Sequence, residues 1–202
     1  MRTWILGWKR LRVVVGVAAA IGVVFALEAW TRPPRGLRSP DKSNYEGLPE
    51  TTPAIVRPKV YSAESARLGP DEPVIGVVAG GRARAYRRAA FERAEHHVVN
   101  DLVGDVPLTV THCDLTRCTR VYAGDGVTPL QMTPGGYQDG MLLRALGRLY
   151  RQETGRPADD PDGPPLPYRT IPFEITTWSK WRAAHPDTDA YLTPLPGPIT
   201  SK

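Results

Sequence analysis

The stretch 97-HVVNDLVGDVPLTVTHCDLTRCTRVYAG-124 decides how this chain folds. Two β-branched runs, around Val98–Val99 and Val106–Val110, flank residues with turn chemistry, Asn100-Asp101 and Gly104-Asp105. That pattern predicts a β-hairpin over 97–112, with Asn100-Asp101 in a turn, and a further strand from Thr119. The same stretch holds both cysteines of the 202-residue chain, Cys113 and Cys118, and one of its four histidines, His112. A disulfide, a metal or redox site, and chance packing all account for such a cluster.

Working outward, 73-PVIGVVAGGRARAY-86 gives two extended runs around Gly80-Gly81, a dipeptide suited to a two-residue hairpin loop because both positions tolerate positive φ. Residues 88–96 suit a short helix. Leu130–Met132 suits a strand, followed by a loop over 134–140. The segment 141-MLLRALGRLYRQ-152 reads as strand–turn–strand about Gly147, and 156–167 reads as a surface loop. In 176-TTWSKWRAAHPDT-188 a threonine opens and Pro186 stops a helix. Trp178, Trp181 and His185 share one face of it, predicting a packed core face. The expected class is α+β and β-rich: antiparallel hairpins with one or two short helices, preceded by one transmembrane helix.

That helix is expected at 13–30. Val13 to Leu27 contains no charged residue, and Arg2, Lys9, Arg10 and Arg12 precede it. The run lies between the apolar region of a signal peptide, about 7–15 residues, and a full span of about 20. An A-x-A-like cleavage pattern is missing from 26-ALEAW-30, and Trp4, Trp8 and Trp30 flank the run. An uncleaved signal anchor follows. The basic residues at 1–12 place the N-terminus in the cytoplasm and the main domain outside, at the cell membrane. Residues 31–60, rich in proline and charge, read as a tether, with the folded domain over 61–194 and a tail at 195–202.

The net charge of +5 belongs largely to the anchor's flank. No basic-and-aromatic patch stands out, which sets nucleic-acid binding aside. The membrane is the expected partner, and no protein partner can be named. There is no G-x-S-x-G and no H-E-x-x-H, so conventional hydrolysis has no support, and the chain does not read as a conventional enzyme.

In order along the chain, 74-VIGVVAGGRARAY-86, 96-HHVVND-101, 106-VPLTVTHC-113, 150-YRQETG-155 and 177-TWSKWRAAHPDT-188 resemble the bacterial domain-of-unknown-function family 3179. That family's pattern is similar to an "IGV…GEARAYPL" hairpin, "HEIVND", "TYCPLCG" and a final "TW..W…HPDT". The departures fall where chemistry would be. Cys-Pro-Leu-Cys is widened to Cys113-Asp-Leu-Thr-Arg-Cys118, His112 replaces a tyrosine, and Arg87 replaces a proline. The resemblance implies a grouping and no activity, so function must come from the residues.

Two readings of the cluster compete. Outside the cytoplasm disulfides persist, and Cys113 and Cys118 are close enough in sequence to pair as a structural staple in an interaction or scaffold module. Thiolate and imidazole together suit copper or zinc. Cys113, Cys118 and His97 or His96 would converge if the hairpin arms pair, with His112 nearby, Met132 and Met141 as soft ligands, and Asn100 and Asp101 in support. His112 taken alone reads as an exposed strand end.

Overall fold

The computed structural model describes residues 52–193. The expected anchor at 13–30 and tail at 195–202 lie outside them. Among the described residues no helix is long and apolar enough to cross a membrane.

The described residues form three sheets. The central sheet has the order β1-β5-β6-β7-β11, with β1 Ile55–Val56, β5 Val98–Val103, β6 Val106–His112, β7 Thr119–Ala123 and β11 Arg169–Thr170. The back sheet has the order β12-β3-β4-β13-β2, with β2 Val60–Ser62, β3 Pro73–Ala79, β4 Arg82–Arg87, β12 Glu174–Thr177 and β13 Asp189–Tyr191. A small sheet, β10-β9-β8, comprises β8 Thr133–Tyr137, β9 Met141–Ala145 and β10 Arg148–Arg151. Pairing is antiparallel except for β1 with β5 and β13 with β4. One α-helix, α1 Trp178–Ala184, lies among the described residues. The β-rich α+β expectation therefore holds.

Turn chemistry explains the hairpins. The β3–β4 turn has positive φ at Gly80 and Gly81, the β5–β6 turn at Gly104 and Asp105, and the β9–β10 turn at Leu146 and Gly147. Positive φ at both central residues matches the right-handed twist of the flanking strands. The first two turns also meet each other. A Cβ on Gly80 would lie 1.9 Å from the Gly104 carbonyl oxygen, and one on Gly104 would lie 2.4 Å from that of Gly80.

Layering follows from which faces are apolar. Ile75, Val77 and Tyr86 of the back sheet pack against Val99, Val103, Leu108, Val110 and Val121 of the central sheet. The other face of the central sheet packs on the small sheet through Val98, Tyr122, Leu143 and Tyr150. Trp178 and Trp181 of α1 cover the outer face of the back sheet against Val74, Ala85 and Ala190. The order is helix, back sheet, central sheet, small sheet. Trp181 lies over Gly76, where an added Cβ would fall 2.2 Å from the indole. The shared face of Trp178, Trp181 and His185 is borne out: both tryptophans are buried, and the His185 ring lies 4.1 Å from that of Trp181.

Several expectations are corrected. Asn100-Asp101 is not a turn but lies within β5, because burial on both faces of the central sheet gives each polar side chain a buried partner. Residues 88–96 form two 3-10 segments, Arg88–Phe91 and Ala94–His96, in place of a helix. The strand expected at Leu130–Met132 lies at Thr133–Tyr137, taking in part of the expected loop and bulging between Pro134 and Gly136. Ile55–Val56 pairs with β5, so ordered pairing begins before residue 61.

Candidate functional site

The β6–β7 ladder matches Thr111 with Arg120 and His112 with Thr119. One step further, the Cys113 amide donates to the Cys118 carbonyl at 3.0 Å, so the two cysteines stand opposite each other where the ladder ends. The four residues between them close the loop, with Arg117 at positive φ. Opposed residues in a hydrogen-bonded antiparallel pair have Cα atoms about 5.5 Å apart. A disulfide spans roughly 4.4–6.8 Å. The sulfurs are not joined in this structure, but the backbone places them within reach.

Their surroundings differ. Cys113 is wholly buried, in the core between the central and small sheets. Cys118 is half-buried, and burial pushes its thiol pKa up. The Cys118 carbonyl also accepts from Gln152 Nε2 at 3.1 Å, the same amide donating to Thr111 Oγ1 at 3.0 Å. Gln152 is buried beside β10, and its own carbonyl accepts from the Tyr122 hydroxyl at 2.7 Å. The small sheet thus holds the cysteine hairpin through one glutamine.

His112 and His97 lie on the other side of the central sheet. Successive strand residues point to opposite faces, so Cys113 faces the small sheet while His112 faces the back sheet. There the His112 ring meets Phe91 edge-on at 6.1 Å, and its Nδ1 shares a 2.8 Å hydrogen bond with Thr119 Oγ1. His112 is buried, correcting the exposed reading. Burial, then the nearby Arg88 charge, push its pKa down to about 4, so it is neutral at pH 7. His97 is buried on the same side, with Nε2 3.3 Å from Asp114 Oδ1. His96 ends the second 3-10 segment half-buried, its pKa lowered by burial.

This alternation defeats the expected metal cage. The thiols and the His112 and His97 imidazoles are close in sequence but separated by the sheet itself. Among the described residues no group of three or more His, Cys, Asp or Glu side chains is placed to hold a metal. The supporting residues have other occupations. Asn100 donates to the Met132 and Ile55 carbonyls at 2.8 and 3.2 Å and accepts from Thr109 Oγ1 and the Met132 amide, which clamps the chain ahead of β8. Met132 and Met141 are buried in the core shared with the small sheet.

Asp101 belongs to a buried ionic group that sequence reasoning missed. Its Oδ2 accepts from Arg84 Nη1 at 2.7 Å and from the Tyr86 hydroxyl at 2.8 Å, while Arg84 also makes a two-pronged contact with Asp189 at 2.6 and 2.8 Å. Burial works against the Arg84 charge, but the two carboxylates more than offset it and raise its pKa. The available signal was Arg84 alternating in step with Tyr86 on an inward face.

The segments 83–86, 97–101, 111–113 and 185–189 therefore meet around the central and back sheets. Residues 49–193 match the family described as "Protein of unknown function (DUF3179)". The chain belongs to this family. No curated protein and no solved structure matches it. In this DUF3179 domain, the segments that carry the family pattern supply Arg84 and Asp101 of the ionic bridge and one side of the cysteine pair, and Asp189 follows directly on the last of them.

Proposed function

We propose that this DUF3179 protein is anchored in the membrane by residues 13–30 and presents its domain outside the cytoplasm. There Cys113 and Cys118 act as a reversible thiol–disulfide pair. The carrying observation is the 3.0 Å Cys113–Cys118 backbone hydrogen bond, which sets the two cysteines opposite each other at the ladder's end. The redox reading is favoured over the metal reading because His112 and His97 face away from the thiols and, among the described residues, no group of three or more His, Cys, Asp or Glu side chains is placed to hold a metal. The chemistry is exchange in place of fast catalysis. A buried thiol with a raised pKa offers little thiolate at neutral pH, unlike the lowered thiols of disulfide oxidoreductases.

A second reading draws on Cys113 being wholly buried, which suits a disulfide that only staples the hairpin. One experiment separates the two. Full-length protein purified in mild detergent is equilibrated in graded thiol–disulfide buffers, and thiols and metal are counted. A midpoint near those of exchangeable disulfides supports the redox reading. A bridge resisting reduction, with a potential below about −300 mV, supports the staple. Stoichiometric copper or zinc lost in Cys113→Ser would overturn both. Placement is checked by alkali extraction, which should leave the chain in the membrane fraction, and by a C-terminal reporter active only outside the cytoplasm.

A further inference from the structure

Beside Cys118 lies a cavity of about 160 Å³, bounded by the cysteine loop, the turn before β9 and the chain leaving β10. Its wall carries charges of both signs, Arg151 against Asp139 and Glu153, with the buried Gln152 and Met141 at its base. A void of about 150 Å³ takes a benzene-sized group, so there is room for one amino-acid-sized molecule and not for a tripeptide. Arg151 suits a carboxylate, and Asp139 and Glu153 suit an ammonium. Cys118 reaches the same space while Cys113 is closed off behind it.

We propose that this cavity seats one half of a small zwitterionic disulfide of the amino-acid type and that Cys118 exchanges with it, an assignment that rests on the redox reading above. The Cys118 thiolate attacks one sulfur of RSSR. A Cys118–SR bond forms as the S–S bond breaks, and RS⁻ leaves with the electron pair and takes a proton from water. The Cys113 thiolate then attacks the Cys118 sulfur, forming the Cys113–Cys118 bond and releasing the second RS⁻. One small disulfide is reduced to two thiols, and the protein dithiol loses two electrons. Cys113 resolves the mixed disulfide because, wholly buried, it is out of reach of RSSR but opposite Cys118.

The test uses full-length Cys113→Ser, in which the mixed disulfide is trapped, and follows the adduct on Cys118 by mass spectrometry. Cystine, cystamine (which lacks the carboxylate) and glutathione disulfide are the probes. Cystine should react at least about tenfold faster than glutathione disulfide, and Arg151→Ala should slow cystine about tenfold while leaving cystamine unchanged, the loss of one charge-assisted contact. The unchanged cystamine rate also shows that the variant is folded. Equal rates for all three probes, or an Arg151→Ala loss common to all, would overturn the cavity assignment. If wild-type protein still cycles in the graded buffers, the redox reading survives that failure. If the Cys113–Cys118 bond never forms in the folded protein, both fall.

Discussion

Arg84 donates through Nη1 to Asp101 Oδ2 at 2.7 Å, and with the Tyr86 hydroxyl on the same carboxylate this contact ties the back sheet to the central sheet across a largely apolar interface. The Asp101 side chain is only 3% exposed, so water does little to replace a partner it loses. Removing one partner of a buried pair typically costs about 3–5 kcal/mol, because the other charge is left uncompensated. Arg84→Ala should lose that much in urea unfolding. Asp101→Asn in the Arg84→Ala background should recover part of it, and strict additivity of the two changes would show that they do not interact.

The contact between the Gly80 and Gly104 turns predicts a sharp local contrast. Gly81 has positive φ but open space around its Cβ position. Gly81→Ala should therefore cost only about 1–2 kcal/mol for the left-handed backbone. Gly80→Ala must in addition displace the Gly104 peptide and should cost clearly more. Similar unfolding midpoints for the two variants would show that the turns part freely.

Leu146 sits at φ 51 in the β9–β10 turn and is 61% exposed, so it holds an unfavourable backbone while burying little. Leu146→Asn should raise stability by about 1 kcal/mol, since asparagine tolerates the left-handed region. A lower thermal midpoint would mean that the exposed leucine makes a contact which matters.

His112 gives a pH dependence. Its pKa falls from about 6.5 in the unfolded chain to about 4 in the folded one, where burial, Arg88 and His97 disfavour protonation and Asp114 favours it. Between those values the unfolded state binds more protons. The contribution is therefore present above about pH 6.5, is lost as pH falls towards 4, and amounts to about 3 kcal/mol. Urea unfolding of wild type and His112→Gln at pH 7 and pH 4.5 should show a steeper loss for wild type. Parallel losses would assign the acid sensitivity to other groups, His96 among them.

The Cys118 thiol predicts how exchange depends on pH. Because burial raises its pKa, its reaction with a small disulfide should still be accelerating at pH values where an ordinary thiol has levelled off. A plateau below pH 8 would show an activated thiolate and would overturn the slow-exchange reading.

The alternating runs and the Gly-Gly dipeptide were enough, by themselves, to place the β3–β4 hairpin, the β-branched runs bounded the β5–β6 hairpin without choosing between its two candidate turns, and the alternation about Gly147 placed the β9–β10 turn. Period and positive-φ tolerance are local properties. The tryptophan face of α1 was legible for the same reason. What sequence could not show was that the central sheet is covered on both sides. A half-buried sheet would have left Asn100 and Asp101 exposed or in a turn, whereas two covering layers make them opposite-facing buried polar anchors, one to Met132 and one to Arg84. The same two-sidedness decided the candidate site. Adjacency in sequence suggested that His112 and Cys113 would act together. Strand alternation points one at Phe91 and the other into the small-sheet core, so only the cysteines share a face, and only the register of β6 on β7 sets them opposite each other.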